Sequence, residues 1–207
     1  TYPVIVTGLK DVVVKDAQQN DVTSQFEVTA TNGSLLINKR NVTLKSKDLS
    51  KVYDGTALTN GDNALEVEEG WADGEGATYT FTGQQIVVGE SANAFTVAYN
   101  KNTKESNYNV TKTEGKLTVT GRPEDDKLPI TVVAQSGTYT YDGAEKKASG
   151  LVSDKVTVNG QQYTVVGLSA EAKATDAGTY HDIVTGLKDV VVKDAQQNDV
   201  TSQFEVT

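Results

Sequence analysis

The chain has 207 residues and a formal net charge of −9, with one His and neither Cys nor Met. That balance excludes a nucleic-acid partner, because too little positive charge is present to neutralise a phosphate backbone. The lack of Cys leaves the redox compartment open, and no run approaches the ~18 apolar residues of a membrane-spanning helix, so membrane insertion is not expected.

Thr1–Thr29 comes first and comes twice. Thr1-Tyr2-Pro3-Val4-Ile5-Val6-Thr7-Gly8-Leu9-Lys10 returns as Thr179-Tyr180-His181-Asp182-Ile183-Val184-Thr185-Gly186-Leu187-Lys188, and the match runs on to Thr207. Only Pro3/His181 and Val4/Asp182 differ, at an offset of 178 residues (179 minus 1). Near-verbatim recurrence at a fixed offset is the mark of a tandem array.

A weaker repeat lies inside that period. Val42-Thr43-Leu44 precedes Tyr53-Asp54-Gly55 as Ile130-Thr131-Val132 precedes Tyr141-Asp142-Gly143, at an offset of 88 (141 minus 53). Ser24-Gln25-Phe26 with Gly33-Ser34-Leu35 and Arg40 aligns with Ser106-Asn107-Tyr108, Gly115-Lys116-Leu117 and Arg122. Two related units follow as an expectation. Residues 1–40 form the C-terminal part of a preceding B-type repeat. Residues 41–122 form a complete A-type β repeat domain. Residues 123–127 are a linker, and 128–207 are a B-type repeat domain lacking its last strand.

The elements read as strand after strand. Apolar side chains alternate at period two in Phe26/Val28, Leu35/Ile37, Tyr79/Phe81, Phe95/Val97/Tyr99, Tyr108/Val110, Leu117/Val119, Val156/Val158 and Tyr163/Val165. Glycines punctuate the runs at Gly70–Gly76, Gly83, Gly89 and Gly160. Short helical turns are expected at Asp48–Ser50, Asp62–Glu69 and Ser169–Thr175; no segment holds a 3.6-residue period over three turns.

Tyr53-Asp54-Gly55 and Tyr141-Asp142-Gly143 read as turns. Each Gly can take φ > 0 and each Asp can cap its own backbone, which leaves Tyr53 and Tyr141 to close over the end of a core. Val52-Tyr53-Asp54-Gly55-Thr56-Ala57-Leu58-Thr59, then Gly74-Glu75-Gly76-Ala77, Phe81-Thr82-Gly83, Val88-Gly89, Ser106-Asn107-Tyr108 and Gly115-Lys116-Leu117-Thr118-Val119 resemble the YDG/MBG-type tandem repeats of bacterial cell-surface, adhesin-like proteins. Asp176-Ala177-Gly178-Thr179-Tyr180 carries a companion pattern, whereas Ala144-Glu145-Lys146-Lys147 departs from it. The resemblance implies a mainly β chain of small immunoglobulin-like or β-grasp-like domains in an elongated arrangement. It also implies an extracellular, cell-wall location of the Gram-positive type. It brings no catalytic residue.

The remaining candidates are few. His181 is the only His, and its counterpart is Pro3, so an array cannot depend on it. Asp16, Asp21, Asp194 and Asp199 lack the alternating spacing of a calcium loop. Glu66, Glu68, Glu69, Asp73 and Glu75 surround Trp71, which reads either as a sugar-binding or glycosidase site or as a Trp packed in its own domain. No catalytic residue, cofactor or metal is expected, and no enzyme activity. The leading expectation is a stalk that projects a distal binding domain, with neighbouring repeats as its partners. The alternative is that the repeats bind a host glycan or protein, with Trp71, Tyr79 and Tyr139 as candidate ligand contacts. The mid-unit start and stop add an expectation of head-to-tail strand exchange between molecules.

Overall fold

The computed structural model describes residues 1–62 and 64–207. The described residues form a mainly β chain of short strands and single 3-10 turns, with no α-helix among them. This follows from the abundance of Thr and Val, whose branched side chains suit a pleated surface better than a helix.

Between residues 40 and 120, the opening strand Arg40–Lys45 lies parallel to Tyr108–Thr113 and antiparallel to Val67–Glu69. The chain kinks at Ser46. It then runs as Leu49–Val52, parallel to Lys116–Thr120, whose other edge takes Gly89–Ala92 antiparallel. Ala77–Phe81 pairs with Phe95–Tyr99 as a separate ribbon. Alternation sends Val42 and Leu44 inward from the first strand, where they meet Leu65, Phe95 and Tyr108. Trp71, Tyr79 and Phe81 pack against that cluster from its rim.

The kink carries a buried polar cluster. Ser46 has no exposed surface; its hydroxyl donates to Asn93 O (2.7 Å) and accepts from Gly115 N (2.9 Å). Asn93, equally buried, donates to Lys47 O and to Asn60 Oδ1. These side chains satisfy backbone groups where the strand switches partners and a regular ladder cannot.

Residues 128–206 repeat part of this scheme. Leu128–Ile130 lies parallel to Phe204–Val206. Lys155–Val158, Gln161–Val166 and Val191–Lys193 form one antiparallel sheet. Lys146–Ser149, Ser169–Ala174 and Ile183–Thr185 form another. The Lys155–Val166 hairpin closes on Asn159 and Gly160, with φ of 51° and 77°. Two successive positive φ values match the right-handed strand twist, which is why Asn-Gly stands there. Val165 faces Val192 across the sheet as Phe81 faces Phe95 across the earlier ribbon.

Two expected helical turns are corrected. Leu49–Val52 and Ser169–Ala174 are strands, because pairing with Lys116–Thr120 and with Lys146–Ser149 outweighs the local preference of Asp48, Ser50 or the Ala-rich run. The third, Asp62–Glu69, includes Asn63, which lies outside the described residues; its far end, Val67–Glu69, is a strand.

The loops at 16–20 and 194–198, one in each 29-residue copy, adopt one local structure in two surroundings. Asp16 Oδ1 accepts from Gln18 N and Asn20 N just as Asp194 Oδ1 accepts from Gln196 N and Asn198 N. Gln19 and Gln197 share a left-handed φ of 69° and 67°. Local side-chain bonds therefore shape this loop without help from a core. The strand that follows behaves otherwise. Phe204–Val206 is paired and Phe204 is 4 % exposed, whereas Phe26 is 58 % exposed and outside any strand. Expected strand Phe26/Val28 is thus corrected: with no opening strand beside it among the described residues, identical residues stay unpaired. The copies supply a controlled comparison. Phe204→Ala is expected to lower unfolding free energy by about 3 kcal/mol or more, and Phe26→Ala by less than about 0.5 kcal/mol, measured by urea denaturation; equal losses would contradict the packing described.

Candidate functional site

The Tyr-Asp-Gly triplets are the most distinctive features of the chain, and both fold as turns. Gly55 and Gly143 have φ of 83° and 81°. Asp54 Oδ1 accepts from Thr56 N at 2.8 Å, and Asp142 Oδ1 accepts from Ala144 N at 3.0 Å. Lys51 Nζ adds an ion pair to Asp54 at 2.7 Å, and Lys146 Nζ does so to Asp142 at 2.7 Å.

The two tyrosines part company. Tyr53 is 1 % exposed, while Tyr141 is 63 % exposed. The expectation that Tyr141 closes over a core is corrected. Tyr53 is held because its N–H donates to Thr120 O and its side chain clusters with Val119. Among the described residues, no such strand lies beside the backbone of 137–141.

Tyr53 is buried chiefly by residues from far along the chain. One apolar cluster joins Tyr53 and Val119 to Leu128, Ile130, Tyr163, Val165, Val192, Val200 and Phe204. Phe204 stands edge-on to both Tyr163 (4.7 Å, 64°) and Tyr53 (6.3 Å, 80°). The Tyr53 hydroxyl reaches the Tyr163 hydroxyl at 3.4 Å, a long bond. Burial, then that bond, pushes the Tyr53 hydroxyl far above the ordinary tyrosine range; burial raises Tyr163 as well. Both stay neutral, so no charge is desolvated. The stabilisation is chiefly apolar: an aromatic ring contributes about 1.5–3 kcal/mol on full burial and each edge-to-face pair about 0.5–1.5 kcal/mol more.

Residues 121–127 are no slack tether. Arg122 donates through Nη1 to Tyr53 O (2.9 Å) and through Nη2 to Asp126 Oδ2 (2.6 Å), and through Nε to Asp126 O. Its own N–H donates to Gln203 Oε1 at 2.8 Å. Gln203 is 5 % exposed. Glu124–Asp126 forms a 3-10 turn, so the guanidinium bridges the turn on one side and the Tyr53 backbone on the other.

Trp71 and Tyr79 come together, and Tyr139 does not join them. Trp71 Nε1 donates to Tyr79 OH (3.1 Å), which donates to Glu68 Oε1 (2.7 Å). The indole is edge-on to Tyr108 (4.9 Å) and to Tyr99 (6.0 Å). The Tyr108 hydroxyl donates to Glu75 and accepts from Ala72 N. Tyr79 is raised well above the ordinary range by burial and by Glu68. Tyr139 is exposed and donates to Lys147 O at 2.9 Å. The acidic loop therefore spends two of its carboxylates, Glu68 and Glu75, on tyrosine hydroxyls.

Tyr163, Phe204, Arg122 and Gln203 are the residues of this arrangement that reading the sequence missed. A signal for Tyr163 was present: Gly76-Ala77-Thr78-Tyr79-Thr80-Phe81-Thr82-Gly83 aligns with Gly160-Gln161-Gln162-Tyr163-Thr164-Val165-Val166-Gly167. No family model matches the chain, and no curated protein or solved structure matches it either.

Two outcomes follow from this geometry. A Cβ on Gly55 would lie 2.1 Å from the Tyr163 hydroxyl, whereas one on Gly143 would meet nothing within 4 Å. Both Ala substitutions carry the left-handed strain of about 1–2 kcal/mol, so Gly55→Ala is expected to lower the melting temperature clearly more than Gly143→Ala; equal losses would show that Tyr163 swings aside freely. The second concerns Asp54. Burial raises its carboxyl, but the Lys51 ammonium and the Thr56 N–H and hydroxyl outweigh that and leave it below 3.8. A depressed carboxyl stabilises fully above its unfolded value and loses that contribution as pH falls through the folded value. The stability difference between the wild type and Asp54→Asn is therefore expected to be constant above pH 4–5 and to shrink below pH 3.8, read by thermal melts across the acid range.

Proposed function

We propose that this chain is a structural stalk or spacer segment of a bacterial surface protein of the adhesin-like kind, outside the cell and on its wall. Residues 41–122 and 128–207 act in this reading as tandem small β domains, immunoglobulin-like or β-grasp-like, with residues 1–40 belonging to a further copy. Neighbouring repeats are its partners, and its role is to hold a distal binding domain at a distance.

The observation that carries the reading is the burial of Tyr53 among side chains of residues 128–206. An apolar cluster shared across a seven-residue strap resists hinging, because bending would expose aromatic surface. The Arg122 bonds add directional restraint. A joint of that kind suits a rod that transmits force. The 29-residue copy at an offset of 178 (179 minus 1) suits a rod whose length changes by whole periods. The likeness of Val52–Thr59 and its companions to surface repeats supports the location.

The chain has no Cys, so spin labels can be placed without background. Labels at Thr96→Cys and Thr157→Cys, both exposed strand positions, report across the joint. Pulsed electron paramagnetic resonance is expected to give one narrow distance distribution, and Tyr53→Ala is expected to broaden it. A broad distribution in the otherwise unaltered chain would overturn the rod.

A further inference from the structure

A groove of about 680 Å³ runs between residues 136–141 on one side and 179–182 on the other, with Ala148, Ala172 and Ala174 along it. Among the described residues, no strand pairs with the backbone of 137–141. Tyr139, Tyr141 and Tyr180 are more than half exposed along its walls. Asp182 Oδ2 is shielded from solvent there and has no hydrogen-bond partner among the described residues.

Each wall has a counterpart elsewhere in the chain that is paired with one kind of strand. Through the shared Tyr-Asp-Gly, residues 137–141 correspond to Leu49–Tyr53, which lies parallel to Lys116–Thr120. Through the long repeat, Tyr180–Asp182 corresponds to Tyr2–Val4, which pairs antiparallel with Gly33–Leu35. Gly33-Ser34-Leu35 is itself the counterpart of Gly115-Lys116-Leu117. In residues 40–120 that strand fills the same position, between Leu49–Val52 and Gly89–Ala92, with Leu117 and Val119 fully buried. Meanwhile Leu35, Leu36 and Ile37 lie exposed, at 51 %, 63 % and 70 %.

We infer that the groove accepts residues 33–37 of a second copy of this chain as an added strand. The incoming strand runs parallel to 137–141 and antiparallel to 180–182, exchanging the Tyr2–Val4 of its own chain, which holds that edge, for the equivalent residues of the other copy. Tyr2 opposite Leu35 fixes Leu35 opposite Tyr180; Leu49 opposite Leu117 fixes it opposite Gly137 on the other side. Leu35 and Ile37 then face the alanines, as Leu117 and Val119 face their own core. Main-chain bonds supply the affinity and the alternate apolar side chains the register, as in other strand additions. The inference stands on these pairings and not on the stalk reading, so either can fail alone.

The test uses the intact chain. Sedimentation velocity is expected to show association that rises with concentration and is suppressed by a synthetic peptide of residues 30–40. Leu36→Pro, at an exposed position unpaired in its own chain, is expected to weaken association by about tenfold or more, since Pro cannot donate to a ladder. The double variant Leu35→Cys/Tyr180→Cys is expected to give disulfide-linked species larger than dimers on mild oxidation, whereas either single variant stops at dimers. A chain that stays monomeric at all concentrations overturns the inference. So does a double variant that forms only an intrachain disulfide, because residues 33–37 would then fill the groove of their own molecule.

Discussion

Burial of the Tyr53 ring is the interaction on which the rest of the structure leans. Its side chain comes from a turn at the edge of one set of strands, and most of its surroundings come from another set, within residues 128–206. The turn explains how the ring can leave its own strands: Gly55 takes a φ that other residues avoid, and Asp54 caps the reversal. Neutral hydroxyls and edge-on rings explain why the burial is favourable, since no ion must be stripped of water. Arg122 then fixes the angle. Its guanidinium binds the Tyr53 carbonyl, while its backbone N–H is tied to Gln203.

The same two ring positions occur once more, and their third member differs. Tyr79 corresponds to Tyr163 and Tyr108 to Phe204, each in the equivalent strand. Over Tyr163 and Phe204 the third ring is Tyr53, brought from outside. Over Tyr79 and Tyr108 it is Trp71, from the same set of strands. A Trp has the larger face and its own N–H donor, so it satisfies the Tyr79 hydroxyl without a neighbour. The acidic residues near Trp71 acquire a structural meaning from this: Glu68 and Glu75 receive the hydroxyls that would otherwise be left between water and core.

Much of the β character was legible because it is written locally. Alternation in Ala77–Phe81, Phe95–Tyr99 and Lys116–Thr120 needs only the two-residue pleat, and Asp-Gly and Asn-Gly turns need only φ preferences. The parallel pairing of Arg40–Lys45 with Tyr108–Thr113 was not legible, since partners some 68 positions apart leave no local mark (108 minus 40). The ring partners of Tyr53 stayed hidden for a more specific reason. The Tyr-Asp-Gly register is offset by 88, whereas Tyr79 and Tyr163 are offset by 84 (163 minus 79), because the intervening loops differ in length. A single offset carried along the chain therefore walks past the match. Ser46, Asn60 and Asn93 were invisible too; small polar residues read as loops until a kink between two parallel partners buries them.

The repeated 29 residues separate what sequence encodes from what surroundings decide. Asp16 and Asp194 build the same capped loop although one lies in solvent-facing chain and the other against a core. Side chains within four positions of each other close that loop, so nothing outside it is required. Phe26 and Phe204, one turn further on, share every near neighbour and yet differ completely in burial. What distinguishes them is Leu128–Ile130, which pairs with Phe204–Val206, whereas among the described residues no strand lies beside Phe26. Pairing a strand fixes backbone dihedrals at a cost of about 1–2 kcal/mol per residue, and only a partner strand with an apolar face offsets it. The loop is thus a local property and the strand a conditional one.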